Sequence, residues 1–377
     1  MVRKHATFKA VLTMVSAIVG AGIFGLPTMF AYIGFWPGTI LFGFMACLTI
    51  ATHLFMVEIV LTHKHHSRLT GYAGKELGPL AHWISAWTFP LQMVGSCVAY
   101  IILAGEFLTL LSSYLGFSLP LIAWQVIFWL GGALIVFFGL KMVAKIESHT
   151  VWILMALMVV AAVVATSVAP ADTVTRFFTT WNPAWAPFGV FLFALSGLPA
   201  VGEVVDLVGH HPRNSYRVVL LGTAAAAILS WIFGTALAMS SPTTALTGDP
   251  IDLMRALPSV LSWLIPLIGF IAVSGTFVMM SQSLRSTLHI DFRIPSRAAW
   301  YMAMITPFAI MMVINRDFIS VIGAIGAIFG AINGILTALI FIKICERRRT
   351  HEPLYMFVIP VVVILAYVTG MVQKLFF

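Results

Sequence analysis

The sequence predicts an all-α integral membrane protein with eleven transmembrane helices. Of its 377 residues, 60% are hydrophobic and only 9% are charged, and the mean hydropathy is +1.02. Soluble domains carry about 25% charged residues, and a soluble chain of this size could not bury so much apolar surface. The apolar residues form runs long enough to cross a bilayer, which takes about 20 residues in a helix. Soluble, disordered and disulfide-rich classes are therefore excluded.

Eleven apolar runs follow one another with short connections, which leave no room for a separate soluble domain. We number these runs as spans 1 to 11 and place their bounds to within a few residues. The predicted spans are 8–33, 36–61, 79–112, 119–140, 144–168, 186–208, 215–240, 257–288, 297–314, 318–344 and 354–373.

The basic residues predict that the N-terminus lies in the cytoplasm and the C-terminus outside. With this orientation, 17 of the 21 Lys and Arg residues lie in cytoplasmic segments. Membrane proteins show this excess of positive charge inside. The net charge of +8 therefore reflects membrane topology and does not indicate nucleic-acid binding. We interpret the His-Lys-His-His run at 63–66 as part of a cytoplasmic basic loop and not as a metal site.

Two spans carry the same helix-breaking tripeptide at matching positions. The sequence Gly-Leu-Pro at 25–27 in span 1 recurs at 197–199 in span 6, which is 172 residues later. The same shift brings spans 2 to 5 close to spans 7 to 10. Because an odd number of spans separates the copies, they cross the membrane in opposite directions, which predicts a 5+5 inverted repeat. The predicted divisions are 1–170 and 171–345 for the two repeats and 346–377 for the appended span 11.

Gly and Pro inside a spanning helix free backbone N–H and C=O groups from the helical hydrogen bonds. In hydrocarbon each freed group is costly unless something satisfies it. A half-helix presents N–H groups to a carboxylate at its N-terminus and carbonyls to an ammonium group at its C-terminus. A zwitterionic amino acid needs both, so we interpret the breaks at 20–27 and 196–200 as a substrate site; close helix packing by these small residues is the alternative. The glycines of span 10 (Gly323, Gly326, Gly330 and Gly334) are interpreted as helix-packing residues.

The break in span 1, with the sequence GAGIFGLP at 20–27, resembles the first-helix signature of the amino acid–polyamine–cation (APC) transporter superfamily. The stretch FALSG at 193–197, followed by PAVGE at 199–203, resembles the broken sixth helix of amino acid permeases. With Glu58 near the end of span 2, the pattern is most similar to the hydroxy and aromatic amino acid permeases, the tryptophan/tyrosine permease type, and to the amino acid/auxin permeases. Gly202 departs from the auxin-permease type, many members of which have Pro there.

The resemblance implies a LeuT-like fold and alternating access in a bacterial-type cytoplasmic (inner) membrane. The substrate carboxylate would meet the amides near the first break, and the amine would meet carbonyls at the second. On span 3, Gln92, Ser96 and Tyr100 share one face, and Tyr100 is expected to cover the substrate; an interhelical hydrogen-bond stripe is the alternative. The expected substrate-binding residues are Gly20, Ala21, Gly22, Ile23, Phe24, Tyr100, Phe193, Ala194, Leu195 and Ser196, with Met279 also in the side-chain pocket.

Charged side chains at the cytoplasmic ends of the spans predict an inner gate of ion pairs. Glu203 and Asp206 lie three residues apart on span 6, and Glu58 lies in span 2. Lys145 and Arg285 come from helix ends at the same depth. Charged groups inside a membrane are functional candidates by default, although static structural pairing is the alternative.

The coupling ion is expected to be a proton or sodium, with no other cofactor and no metal. The aromatic permease resemblance implies proton symport, for which Glu203 is the first candidate carrier and Glu58 the second. Sodium-coupled members of this fold hold the ion with carbonyls and two adjacent hydroxyls, and here only Thr276 aligns as a hydroxyl, with Ser274 nearby. We therefore favour the proton. The alternative sodium site would comprise Ser16, Val19, Ala272, Gly275 and Thr276.

The sequence does not support an enzyme, because it contains no recognisable nucleophile–base pair, phosphate-binding loop or zinc-ligand spacing.

The predicted function is secondary active transport of neutral L-amino acids, large and apolar or aromatic. The expected partners are the amino acid and the lipid bilayer, without nucleic acid; the oligomeric state is left open. The alternatives are a sodium-coupled amino acid symporter, a polyamine or organic cation transporter, and a nutrient sensor that does not transport. A cation without a carboxylate would leave the span 1 amides unmatched, and a sensor would usually add a signalling tail.

Overall fold

The computed structural model describes residues 2–63, 67–138, 140–182, 184–185, 187–240, 259–314, 318–348 and 355–376, except for the side chains of 2–6, 140–150, 259–260, 348 and 355. Throughout these ranges the regular structure is helical. The α-helices are α1 Val2–Ile18, α2 Leu26–Ile33, α3 Phe35–Thr62, α4 Leu69–Leu77, α5 Pro79–Tyr114, α6 Leu121–Phe138, α7 Leu140–Ser167, α8 Ala171–Thr179, α9 Phe188–Leu195, α10 Leu198–Leu207, α11 Pro212–Ser240, α12 Ser259–Ile290, α13 Ser296–Val313, α14 Phe318–Ala324, α15 Ala331–Arg348 and α16 Tyr355–Phe376.

Apart from the short helices α4 and α8, the helices coincide with the predicted spans. Among the described residues, eight helical segments are long and apolar enough to cross a membrane, and two bent helix pairs also qualify if each pair counts as one span. The remaining predicted span, span 9, is the 18-residue helix α13, which is about 27 Å long. The prediction of an all-α membrane protein is confirmed.

Three of the spans are built from more than one helical piece. Span 1 consists of α1, a 3₁₀ turn at Ala21–Gly25, and α2, with a bend of 48° between its halves. Span 6 consists of α9 and α10, and span 10 contains a π-helical turn at Ile325–Gly330 between α14 and α15. Spans 1 and 6 are therefore interrupted at the positions that the shared tripeptide predicts.

The core lies around the two interrupted spans. The 3₁₀ turn of span 1 packs against α9, α1 packs against span 7, and span 8 packs along span 3. Every residue of α9 and of the 3₁₀ turn is buried. An interruption at this depth leaves backbone polar groups in the buried core, where they need a partner.

The short helix α4 is fixed to the end of span 8 by a carboxylate. Asp291 accepts hydrogen bonds from the backbone N–H groups of Arg68, at 3.1 Å, and Gly71, at 3.2 Å. These donors belong to the N-terminus of α4, whose first N–H groups have no partner inside the helix. Burial raises the pKa of the Asp291 carboxyl group, and the two N–H bonds oppose this rise. The cap fixes Arg68 beside the predicted cytoplasmic ends of spans 6 and 8.

Candidate substrate-binding site

The first break exposes backbone N–H groups. The chain leaves the helical conformation at Gly20, which has φ −135° and ψ −149°, and re-enters a 3₁₀ turn at Ala21. The N–H of Ile23 donates to the Gly20 carbonyl at 3.3 Å. The first N–H groups of a helical turn have no partner within it. In the described part of the chain, the N–H groups of Ala21 and Gly22 take no part in backbone hydrogen bonds between elements.

The second break exposes backbone carbonyls. Helix α9 ends at Leu195, and Ser196 is extended, with φ −73° and ψ 120°. The N–H of Ser196 donates to the Phe193 carbonyl at 3.2 Å. The last carbonyls of a helix have no intrahelical partner, so those of Ala194 and Leu195 are available at the break.

The two breaks touch each other. A Cβ atom added to Gly22 would lie 2.5 Å from the Cα and 3.0 Å from the backbone N of Ala194. Glycine is therefore required here for the close approach of two backbones. The contact brings the start of the 3₁₀ turn of span 1 and the end of α9 in span 6 to one place in the core.

The predicted face of span 3 borders the second break. Gln92 donates from Nε2 to the Ser196 hydroxyl at 3.2 Å, and the ring of Tyr100 lies 6.5 Å from the ring of Phe193. The Ser96 hydroxyl donates to the Gln92 carbonyl on its own helix at 2.9 Å. All three span 3 side chains are buried, and two of them contact span 6.

Asn333 of span 10 extends this network, and the sequence reasoning missed it. Its Nδ2 donates to Gln92 Oε1 at 2.6 Å, and its Oδ1 accepts from the Thr88 hydroxyl at 2.8 Å. Asn333 is completely buried. The available signal was an isolated amide inside an apolar span, because such a group needs a partner in the membrane.

Replacing Asn333 by Ala is expected to lower the free energy of unfolding by about 1–3 kcal/mol, because Gln92 Oε1 and the Thr88 hydroxyl lose a buried partner. Thr337→Val is the matched control, since Thr337 is equally buried and donates only to the Asn333 carbonyl on its own helix, at 2.7 Å. Thermal unfolding of the purified variants in detergent measures the difference. Equal transition temperatures for the two variants would contradict this role of Asn333.

Among the described residues, the aromatic side chains beside the breaks are uncharged. Phe24 makes ring contacts with Phe107, at 5.0 Å between centroids, and with Phe233, at 5.8 Å. Met279, which was expected in the side-chain pocket, instead belongs to a small buried cluster with Ala17 and Ala200. These two residues lie on the halves of spans 1 and 6 that face the predicted cytoplasmic side, so Met279 packs below the breaks.

The break in span 1 contacts span 8 at Thr276, one of the predicted sodium-site residues. A Cβ atom added to Gly20 would lie 2.8 Å from the Thr276 hydroxyl oxygen, so the break and span 8 are in direct contact. The Thr276 hydroxyl donates to the Ala272 carbonyl at 2.9 Å and also interacts with Tyr100. Ser16 is buried. A Cβ atom added to Gly275 would have no neighbouring atom within 4 Å.

At the predicted cytoplasmic end, Glu203 pairs with a residue that was not expected. Its Oε1 accepts from Arg68 Nη2 at 3.4 Å and from the Ser283 hydroxyl at 3.3 Å. Arg285, the predicted partner, donates instead to the Val136 carbonyl and to the Ser296 hydroxyl, both at 2.9 Å. The predicted pairing of Arg285 with the carboxylates is therefore wrong, because its guanidinium group points to the ends of spans 4 and 9. The side chain of Lys145 lies outside the described residues.

The other two predicted gate carboxylates, Glu58 and Asp206, have partners of their own. Glu58 accepts a hydrogen bond from the Tyr216 hydroxyl of span 7, and Asp206 lies 3.3 Å from His210 one helical turn away. A cavity of about 520 Å³ opens beside these groups. It is lined by Val60, Ser67, Arg68, Tyr72, Gly202, Asp206, His210 and Ile290.

Two broken spans that face each other within a bundle of membrane-spanning helices are the arrangement of the LeuT-like fold. The whole fold is similar to MhsT, solved in complex with L-phenylalanine, with a TM-score of 0.69 and 16% identity over 97% of this chain and 98% of that one. It is also similar to Mhp1, a nucleobase-cation-symport-1 family transporter solved in a closed conformation with bromovinylhydantoin bound. That match has a TM-score of 0.67 and 12% identity over 98% of this chain and 92% of the other.

The sequence matches the tryptophan/tyrosine permease family over residues 3–376, and the chain belongs to that family. No curated protein matches it. The family and the fold together make this protein an amino acid transporter embedded in a membrane and not an enzyme.

Proposed function

We propose that the protein carries large neutral L-amino acids, apolar or aromatic, across the membrane by alternating access, with the substrate bound between the two breaks. The observation that carries this proposal is the contact between Gly22 and Ala194. It brings amides and carbonyls that the two broken helices leave without intrahelical partners close to each other in the core, and an amino acid zwitterion complements both.

The backbone hydrogen bonds refine the expected contacts of the substrate. Because the Ile23 N–H already donates to Gly20, the carboxylate is assigned to the N–H groups of Ala21 and Gly22. Because the Phe193 carbonyl already accepts from Ser196, the amine is assigned to the carbonyls of Ala194 and Leu195. Each ionised group then replaces a partner that the broken helix has lost.

Uncharged surroundings support a neutral substrate. The side chains beside the breaks include Phe24, Tyr100 and Phe193, all buried, and an unpaired charge in such a place would be strongly disfavoured. The complex of MhsT with L-phenylalanine is consistent with an aromatic substrate for this fold. The family name favours the same class.

We further propose that transport is coupled to protons, with Glu203 as the carrier and Glu58 as the second candidate. Glu203 lies on α10, the second half of the broken span, and pairs with Arg68 from outside that span. The pair must separate if α10 moves to open the predicted cytoplasmic side. This assignment assumes the orientation with the N-terminus inside. Sodium at the contact between Gly20 and Thr276 is the alternative.

A panel of labelled amino acids in proteoliposomes tests the substrate class. We expect saturable uptake of tryptophan, tyrosine, phenylalanine or leucine, and none of lysine, glutamate, choline or spermidine, because the side chains described beside the breaks (Phe24, Tyr100 and Phe193) carry no charge that could compensate a charged substrate side chain. Thermal-shift measurements on the purified protein should show stabilisation by the same amino acids, since a ligand that binds only the folded state stabilises it. Stabilisation by choline or spermidine, without any by amino acids, would contradict the proposal. Stabilisation by an amino acid without uptake would indicate a sensor.

A further inference from the structure

The buried histidine of span 2 contacts the second break directly. His53 is 1% exposed, and its Nε2 lies 3.2 Å from the backbone N of Gly197. On the other side of the ring, Nδ1 lies 3.0 Å from the Thr223 hydroxyl of span 7. One side chain therefore connects the start of α10 to spans 2 and 7.

The two contacts determine which ring nitrogen carries the proton. A backbone N–H only donates, so Nε2 of His53 must accept the bond from Gly197 and carries no proton. A neutral imidazole has its proton on the other nitrogen, so Nδ1 donates to the Thr223 hydroxyl. The Gly197 N–H thus fixes the tautomer, and the Thr223 hydroxyl supplies the acceptor that the Nδ1 proton needs.

Consecutive residues of the break are held from different spans. The Ser196 hydroxyl accepts from Gln92 of span 3 at 3.2 Å, and the Gly197 N–H donates to His53 of span 2. Gly197 is also closely packed, because an added Cβ atom would lie 2.6 Å from Ile18 of α1. These contacts together fix the end of α9 and the start of α10 relative to span 1.

We propose that His53 is a positioning residue of the substrate site, which holds Gly197 so that the carbonyls of Ala194 and Leu195 face the amides of span 1. This inference rests on the proposed binding of the amino acid at the two breaks. His53 itself does not touch the substrate. Losing its bond to Gly197 would leave a buried N–H unpaired and allow α10 to shift.

Two variants test whether the hydrogen bond to Gly197 is what matters, or whether any polar side chain at position 53 is enough. In His53→Gln, the longer amide can present its oxygen where Nε2 lies, whereas in His53→Asn the amide is too short to reach Gly197. We expect His53→Asn to raise the KM for the amino acid about tenfold, as the loss of one buried hydrogen bond predicts, with a maximal rate within about twofold of wild type. His53→Gln should restore most of the affinity.

Hydrogen exchange of the backbone amides gives a readout that does not depend on any substrate. In His53→Asn the Gly197 amide should exchange about tenfold faster than in wild type, and in His53→Gln it should be protected again. Thr223→Val should resemble His53→Asn, because the Nδ1 proton loses its acceptor, and Thr223→Ser is the matched control that keeps the hydroxyl.

The uptake measurement and the hydrogen-exchange measurement together distinguish failure of this inference from failure of the proposed function. Equal KM values or equal exchange rates for the Gln and Asn variants would overturn the positioning role. If no amino acid in the panel binds, the proposed function fails, and the exchange rate of Gly197 alone decides whether His53 holds the break. Unchanged protection of Gly197 in His53→Asn would then overturn the inference.

Discussion

Gly22→Ala is expected to reduce amino acid uptake by about tenfold to a hundredfold. The added methyl group would lie 2.5 Å from the Cα of Ala194, and a backbone atom cannot move aside as the end of a side chain can. Overpacking of this kind costs about 1–3 kcal/mol, and each 1.4 kcal/mol corresponds to about tenfold in binding. The larger Gly22→Val should abolish transport. Initial uptake rates in proteoliposomes, at matched protein content, measure the loss.

Gly323→Ala is the control for this prediction. Its added Cβ atom would lie 3.7 Å from Val190, which is an ordinary van der Waals distance, so uptake should stay close to wild type. Because the Gly22 contact joins span 1 to span 6, a substitution there could disturb folding. Each variant should therefore first be shown to be monodisperse and inserted into the membrane. Uptake at the wild-type rate by folded Gly22→Ala would place the substrate elsewhere.

The sequence predicted where the two spans break because the cause is local. Gly and Pro disrupt a helix through their own backbone, so the Gly-Leu-Pro tripeptide at 25–27 and its copy at 197–199 could be found without knowing any neighbour. The spacing of Gln92 and Tyr100 likewise predicts a shared helix face. In the structure these two residues contact Ser196 and Phe193.

The partners of charged and polar side chains could not be predicted in the same way. Arg68 reaches Glu203 because Asp291 caps the start of α4, and this arrangement depends on three segments far apart in the sequence. Arg285 was a reasonable partner by depth alone, but depth does not give the direction of a side chain. His53 and Asn333 were visible as polar residues in apolar spans, yet their partners lie on other spans.

The glycine pattern of span 10 is compatible with two structures, a broken helix or a closely packed one. Glycine in a membrane helix either breaks it or lets a neighbour approach closely, and the sequence interpretation favoured packing for all four. In the structure, Gly326 packs directly on the Gly189 carbonyl of α9, and Gly334 packs on the ring of Tyr367 of span 11. Span 10 also contains the π-helical turn Ile325–Gly330, which the glycine spacing did not predict.

Glu203→Gln is expected to uncouple transport from the pH gradient while leaving substrate exchange intact. Gln keeps nearly the shape of Glu and can still bond to Arg68 and Ser283, the two partners of Glu203, but it cannot take up a proton. One pH unit is worth about 1.36 kcal/mol, which supports about tenfold accumulation for one proton per substrate. With an inward gradient of that size, wild type should accumulate the amino acid about tenfold and Glu203→Gln should only equilibrate it.

The control for this prediction is a second ion-paired carboxylate at the same end of the molecule. Glu76 lies on α4 and is bonded to His63 at 2.8 Å and to Arg347 at 3.1 Å, but it does not belong to a broken span, so Glu76→Gln should keep the accumulation. Counterflow of labelled against unlabelled amino acid needs no net proton movement and should persist in Glu203→Gln. Full accumulation of the amino acid by both Glu203→Gln and Glu58→Gln would show that neither residue is the proton carrier. Accumulation that follows a sodium gradient at equal pH, without any response to a proton gradient, would assign coupling to the contact between Gly20 and Thr276.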